Sequence, residues 1–165
     1  MLGALSCSSI SGSDLVELPT RLVDPSPLAA NTVTQTDKGE IVNVSAITEP
    51  YNEDRHGRIR LDGAPPETVL RDLRISVGGR DVSPPKLEYA GFGDPSVGQH
   101  FVPLRIDQDS DGLIYIYISG GDGGGAHSRR FVVSNLAWIR TEYRDYFTGE
   151  YKQAEQDRMR RQTEE

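Results

Sequence analysis

The chain has 165 residues, of which 36% are hydrophobic and 26% charged, with 17 glycines and 10 prolines, a balance that suits short strands and tight loops better than a helix bundle. Its net charge of −7 opposes nucleic-acid and anionic-lipid partners, and a single cysteine, Cys7, rules out an internal disulfide. The longest apolar run, Leu113–Ile118, falls far short of the about 20 residues that a transmembrane helix needs.

Residues 1–40 show neither helical nor strand periodicity, are rich in Ser, Thr, Pro and Gly, and are interrupted by Pro19, Pro25 and Pro27, which predicts an extended amino-terminal arm. Strand signals then follow closely. Val42, Val44 and Ala46 alternate with Asn43 and Ser45 over Ile41–Thr48, and a shorter alternation spans Arg58–Asp62. Pro65-Pro66 introduces a helical turn over Glu67–Arg71. Leu73, Ile75 and Val77 define the next strand, which Gly78-Gly79 turns back into Arg80–Val82 as a two-residue hairpin.

Beyond Pro84-Pro85, strands are expected at Leu87–Tyr89, His100–Ile106, Leu113–Ser119 and Arg130–Arg140. Residues 41–140 therefore read as a mainly β domain, an antiparallel β-sandwich or open barrel of about seven or eight strands. Residues 141–165 read as a helix and tail, because Tyr143, Phe147, Tyr151 and Ala154 share one face at helical spacing.

Four features carry potential chemistry. Asp107, Asp109 and Asp111 alternate ahead of Gly112, like the opening of a calcium loop. Counted from Asp107, however, the ninth and twelfth positions are Tyr115 and Ile118, so the closing acidic ligand is missing. Asp-Ser-Asp-Gly is also a favourable hairpin turn, and that reading is preferred, with calcium as the alternative. The glycine run 120–125, interrupted by Asp122, precedes a strand rather than a helix, so it suits a hairpin tip better than a phosphate loop.

In Leu113–Ser119 the three isoleucines point one way while Tyr115 and Tyr117 point the other, so both faces of the strand are expected to be covered. Either the terminal helix covers the tyrosines, or a neighbouring subunit does so with Trp138, Tyr143, Phe147 and Tyr151 at the interface. Around Cys7, the stretch Ala4-Leu5-Ser6-Cys7-Ser8-Ser9 resembles the end of a bacterial lipoprotein signal, with alanine standing where a leucine is usual. That resemblance implies lipidation at Cys7.

Catalysis finds little support. His56, His100 and His127 stand apart, and a grouping such as Asp94, His100 and His127 is what any β domain with polar loops offers. The expectation is a non-enzymatic structural subunit without a cofactor, joined to other protein subunits in an oligomeric virion-type or envelope assembly through its arm and tail. A surface-tethered, lipoprotein-like binding module, with calcium as a stabilising ion, is the alternative, and a small enzyme on a β scaffold is the third reading.

Overall fold

Strict alternation lets a strand bury one face, and a one-residue slip would expose the whole apolar set. The computed structural model describes residues 14–97, 103–121, 126–144 and 148–153, and among these residues the chain forms eleven strands, the alternation being clearest over Ala29–Gln35 and Ile41–Pro50. The first six are β1 (Val16–Glu17), β2 (Arg21–Ser26), β3 (Ala29–Gln35), β4 (Ile41–Pro50), β5 (Thr68–Val77) and β6 (Arg80–Asp81). The others are β7 (Ile106–Gln108), β8 (Ile114–Gly120), β9 (His127–Val133), β10 (Trp138–Arg144) and β11 (Tyr151–Gln153). A single helical turn, α1 (Glu53–His56), follows β4 and is capped by the Asn52 side chain.

The strands form two open antiparallel sheets, β2-β3-β4-β5-β6 and β1-β7-β8-β9-β10-β11. In the five-stranded sheet Val42, Val44 and Ala46 lie opposite Val77, Ile75 and Leu73, and all six are buried. In the six-stranded sheet Ile116 lies opposite both Ile106 and Phe131, and Ile114 opposite Val133. These residues of both sheets belong to one apolar cluster. Burial of each such side chain contributes about 1.5–3 kcal/mol.

Polar bonds tie the sheets at their margins. The Leu104 N–H donates to Thr32 Oγ1 at 2.9 Å, and Asp37 and Gln108 exchange two bonds of 3.0 Å.

The arm expected over 1–40 is corrected for its described part, because residues 16–35 supply β1, β2 and β3. The inward positions of β3 are Ala30, Thr32 and Thr34, all buried, and two of them are threonines whose hydroxyls bond to backbone groups of Leu104 and Pro19. Satisfied threonines hide the period from a hydropathy reading. Pro25 is tolerated because β2 is an edge strand whose register shifts between Val23 and Ser26.

The carboxy-terminal helix is likewise overturned over its described residues. Tyr143 and Arg144 end β10, and Tyr151 begins β11, with Arg144 opposite Tyr151. Gly149, at φ +71°, lies in the turn before β11, a backbone state that no right-handed helix contains. Phe147 and residues 154–161 of that prediction lie outside the described residues.

Smaller corrections follow from local chemistry. The helical turn expected at 67–71 is the start of β5, the strand expected at Leu87–Tyr89 is a 3-10 turn over Lys86–Glu88, and Arg58–Asp62 contributes only an isolated Leu61–Ala64 bridge. The predicted Arg130–Arg140 strand is two strands, since Ser134 Oγ accepts from the Leu136 and Ala137 N–H groups and turns the chain between Val133 and Trp138. The Gly78-Gly79 hairpin forms as expected, with φ +57° and +80°.

One glycine sets how closely two segments approach. A Cβ on Gly120 would lie 2.6 Å from the Asp94 carbonyl oxygen and 2.9 Å from that of Gly93. The Gly120→Ala variant is therefore expected to lose about 1–3 kcal/mol of stability. Urea unfolding measures this, and an unchanged midpoint would refute the close approach.

Candidate functional site

The outer side of the six-stranded sheet is where β8, β9 and β10 turn the polar half of their alternation. The three isoleucines of β8 face the core, as the sequence implied, and Tyr115 and Tyr117 face away. Cross-strand register puts Asp107 opposite Tyr115, Tyr117 opposite Arg130, and Arg130 opposite Glu142. Side chains of the same sheet cover the Tyr115 ring fully and the Tyr117 ring in part. The Arg130 guanidinium lies 4.9 Å from the Tyr115 ring and 4.5 Å from that of Tyr151, and Tyr117 meets Tyr151 edge-on at 5.5 Å.

Hydrogen bonds complete this network. The Tyr115 hydroxyl donates to Asp109 at 2.9 Å, and the Tyr117 hydroxyl donates to Asp107 at 2.8 Å while accepting from Arg130 at 3.3 Å. Arg105 grips Asp107 through two bonds of 3.0 and 3.1 Å. Glu142 accepts from Arg130 on one oxygen and from Arg140, at 2.8 Å, on the other. Burial, reinforced by the bond to Asp109, pushes the Tyr115 hydroxyl up to about 12. Tyr117 is also pushed up to about 12, chiefly by burial, with Arg130 opposing the rise and Asp107 adding to it.

This arrangement shows how each carboxylate of the candidate calcium loop, Asp107, Asp109 and Asp111, is placed. One Asp109 oxygen accepts the Asp111 and Leu113 N–H groups, and its other takes Tyr115. Asp107 is occupied by Arg105 and Tyr117, and Asp111 is exposed. The three carboxylates do not converge, and among the described residues no group of three or more His, Cys, Asp or Glu is placed to hold a metal. The loop is a side-chain-stabilised turn closed by Gly112 at φ +86°.

Of the aromatic residues expected at an interface, Tyr115 is 0% exposed and serves inside the network. Tyr117, Trp138, Tyr143 and Tyr151 are half-buried, and Phe147 lies outside the described residues. Cys7, His100 and Asp122 lie outside them too. The Asp94 carboxylate straps the start of β5, accepting the Glu67 and Thr68 N–H groups at 2.7 and 2.9 Å. The His127 ring packs against Phe92 at 4.4 Å.

Where β8, β9 and β10 meet the loops that contain Ile59–Leu61 and Gly91–Ser96, the surface is concave. One cleft, of about 630 Å³, includes Arg60, Phe92, His127, Arg129, Tyr143 and Arg144 in its lining. A second, of about 470 Å³, includes Arg105, Tyr117, Ser128, Arg144, Gly149 and Tyr151. Ser96, Ser119, Ser128 and Arg144 line both, so the two adjoin. No described Asp or Glu lines either.

Each cation in the clefts has a different environment. Arg129 lies between Phe92 and Tyr143, 5.0 and 4.9 Å from their rings, and donates to the Glu88 carbonyl at 2.9 Å. Burial pulls its pKa below the ordinary guanidinium value. Arg60 is held by Glu53 and Arg105 by Asp107. Arg144 is exposed and forms no ion pair among the described residues.

The cleft has no signature in the hydropathy pattern, although the Arg129-Arg130 pair follows the glycine run closely. The available signal was the period of two, which sends adjacent arginines to opposite faces. The chain matches no protein-family model, no curated protein and no solved structure.

Two predictions follow from the network. Arg130 and Glu142 are largely buried, with 16% and 7% of their side chains exposed, so Glu142→Ala is expected to cost about 3–5 kcal/mol by stranding Arg130. The Arg130→Met/Glu142→Met double variant is expected to regain most of that in guanidinium unfolding. The second concerns pH. The unfolded chain releases tyrosine protons near pH 10, whereas Tyr115 and Tyr117 keep theirs to about 12. Their contribution is therefore full below pH 10 and lost as pH climbs towards about 12, by about 2–3 kcal/mol per ring. Tyrosinate absorbance and stability measured across that window should move together.

Proposed function

We propose that this protein is a non-enzymatic assembly subunit, a β-sandwich with its two sheets packed face to face, whose copies join at the outer strands of the six-stranded sheet. The supporting observation is the edge at β10. That strand runs Trp138–Arg144, and among the described residues β11 pairs with Glu142, Tyr143 and Arg144 alone. Beside the remainder of the strand, Ile139 is 46% and Leu136 64% exposed. A strand edge flanked by apolar side chains is a template for adding another strand, and self-pairing of one edge about a twofold axis gives a closed dimer.

The topology supports the same reading. The described fold begins with β1 at one edge of this sheet and ends with β11 at the other. Segments 1–13 and 154–165 would then serve as grips on neighbouring copies in a larger particle, in place of the long arm that the composition suggested.

Native mass measurement tests this. The expected result is a species heavier than the 18.2 kDa single chain, reduced to the monomer by Ile139→Lys with little change in thermal midpoint, since that side chain is exposed in the monomer. A single-chain mass at every concentration up to the solubility limit would refute self-assembly.

A further inference from the structure

A surface made by a chain of net charge −7 is on average acidic, yet the adjoining clefts at the β8–β9 end are lined by Arg60, Arg105, His127, Arg129 and Arg144 with no described carboxylate in the lining, Glu53 and Asp107 reaching Arg60 and Arg105 from outside it. We infer that these clefts form one docking trough for a short acidic peptide segment of a partner protein, whose Asp or Glu side chains pair with Arg144 and the neighbouring arginines.

The trough is built rather than accidental. Its floor holds the Ser119 and Ser128 hydroxyls 3.1 Å apart and the Tyr151 hydroxyl 2.8 Å from Ser128. Arg144, opposite Tyr151 in the β10–β11 ladder, stands on one side of this floor, and Arg105, 5.0 Å from the Tyr117 ring, on the other. Arg129 is fixed by two rings and a carbonyl bond, so its guanidinium is ordered before any ligand arrives.

Strand order spaces these groups. From Arg105, beside β8, to Arg144 on β10 the path crosses adjoining strands at about 4.8 Å each, or about 14 Å overall. That span suits two or more carboxylates displayed along an extended peptide of about four residues better than one compact anion. Guanidinium groups bind carboxylates with forked geometry, and the Phe92, Tyr143 and Tyr151 rings give apolar walls for the peptide stem. A long polyanion such as nucleic acid would extend beyond the trough onto the acidic surface and be repelled.

This inference does not depend on self-assembly, and its test is separable. A fluorescein-labelled hexaglutamate peptide, titrated with the full-length protein and followed by anisotropy, is expected to bind saturably at low ionic strength and to weaken as salt rises. Arg144→Glu should weaken binding at least tenfold and Arg144→Lys only partly, while circular dichroism and thermal midpoint stay unchanged because Arg144 is exposed. Absence of saturable binding, full affinity in Arg144→Glu, or equal competition by inorganic phosphate or a short oligonucleotide would each overturn the inference. Oligomers that ignore the peptide would sink it and leave the assembly reading intact, whereas a monomer that binds the peptide would do the reverse.

Discussion

The structure depends on an apolar core that strands of both sheets share. Val42, Val44, Leu73 and Ile75 on one side and Ile106, Ile114, Ile116, Ile118 and Phe131 on the other belong to a single buried cluster. With the inward positions of β5 and β8 apolar, and those of β4 apolar but for the uncharged Thr48, the ionisable chemistry is forced to the outer faces and the loop ends. Register is forced as well. A shift of β8 by one residue would drive Tyr115 and Tyr117 into the core and expose three isoleucines.

The outer face of the six-stranded sheet is unusual in being nearly as closed as the inner one. Tyr115, Asp107 and Val132 are each 0% exposed although they sit on the side away from the core. Arg130 makes this feasible. Its guanidinium stacks over tyrosine rings and pairs with Glu142, so one cation supplies both a lid for the rings and a partner for a buried acid. Buried charges add little net stability, but a wrong register would strand them, which helps to select one arrangement. The contrast with the clefts nearby is instructive. Arg130 is enclosed by partners, whereas Arg144, across the same sheet end, projects from an acidic molecule with none among the described residues.

Several elements were legible from residues alone because their signals are local. Gly78-Gly79 sets a hairpin through two positive φ values, and the isoleucine and tyrosine positions of β8 divide correctly between the two faces. Other elements were hidden because their signals are shared by two structures. Thr32 and Thr34 stand at inward positions but read as polar, so β3 was indistinguishable from an extended arm. Tyr143 and Tyr151 are spaced for one helical face and equally for two paired strands, and the turn containing Gly149 decided for strands. The aspartates of 107–111 fit the opening of a calcium loop and equally a hydrogen-bonded turn, and only the positions of Tyr115, Tyr117 and Arg105 show where their oxygens point.

Taken by itself, the sequence determined the β class, most turns and which side of each alternating strand is apolar, since these follow from backbone preference and a period of two. The tertiary structure decided which strands are neighbours, and with that every polar constellation. Arg130 meets Glu142, and Arg129 meets Phe92 and Tyr143, through pairing across strands and loops. Such contacts depend on register and on long-range packing, and neither leaves a local trace in the order of the residues.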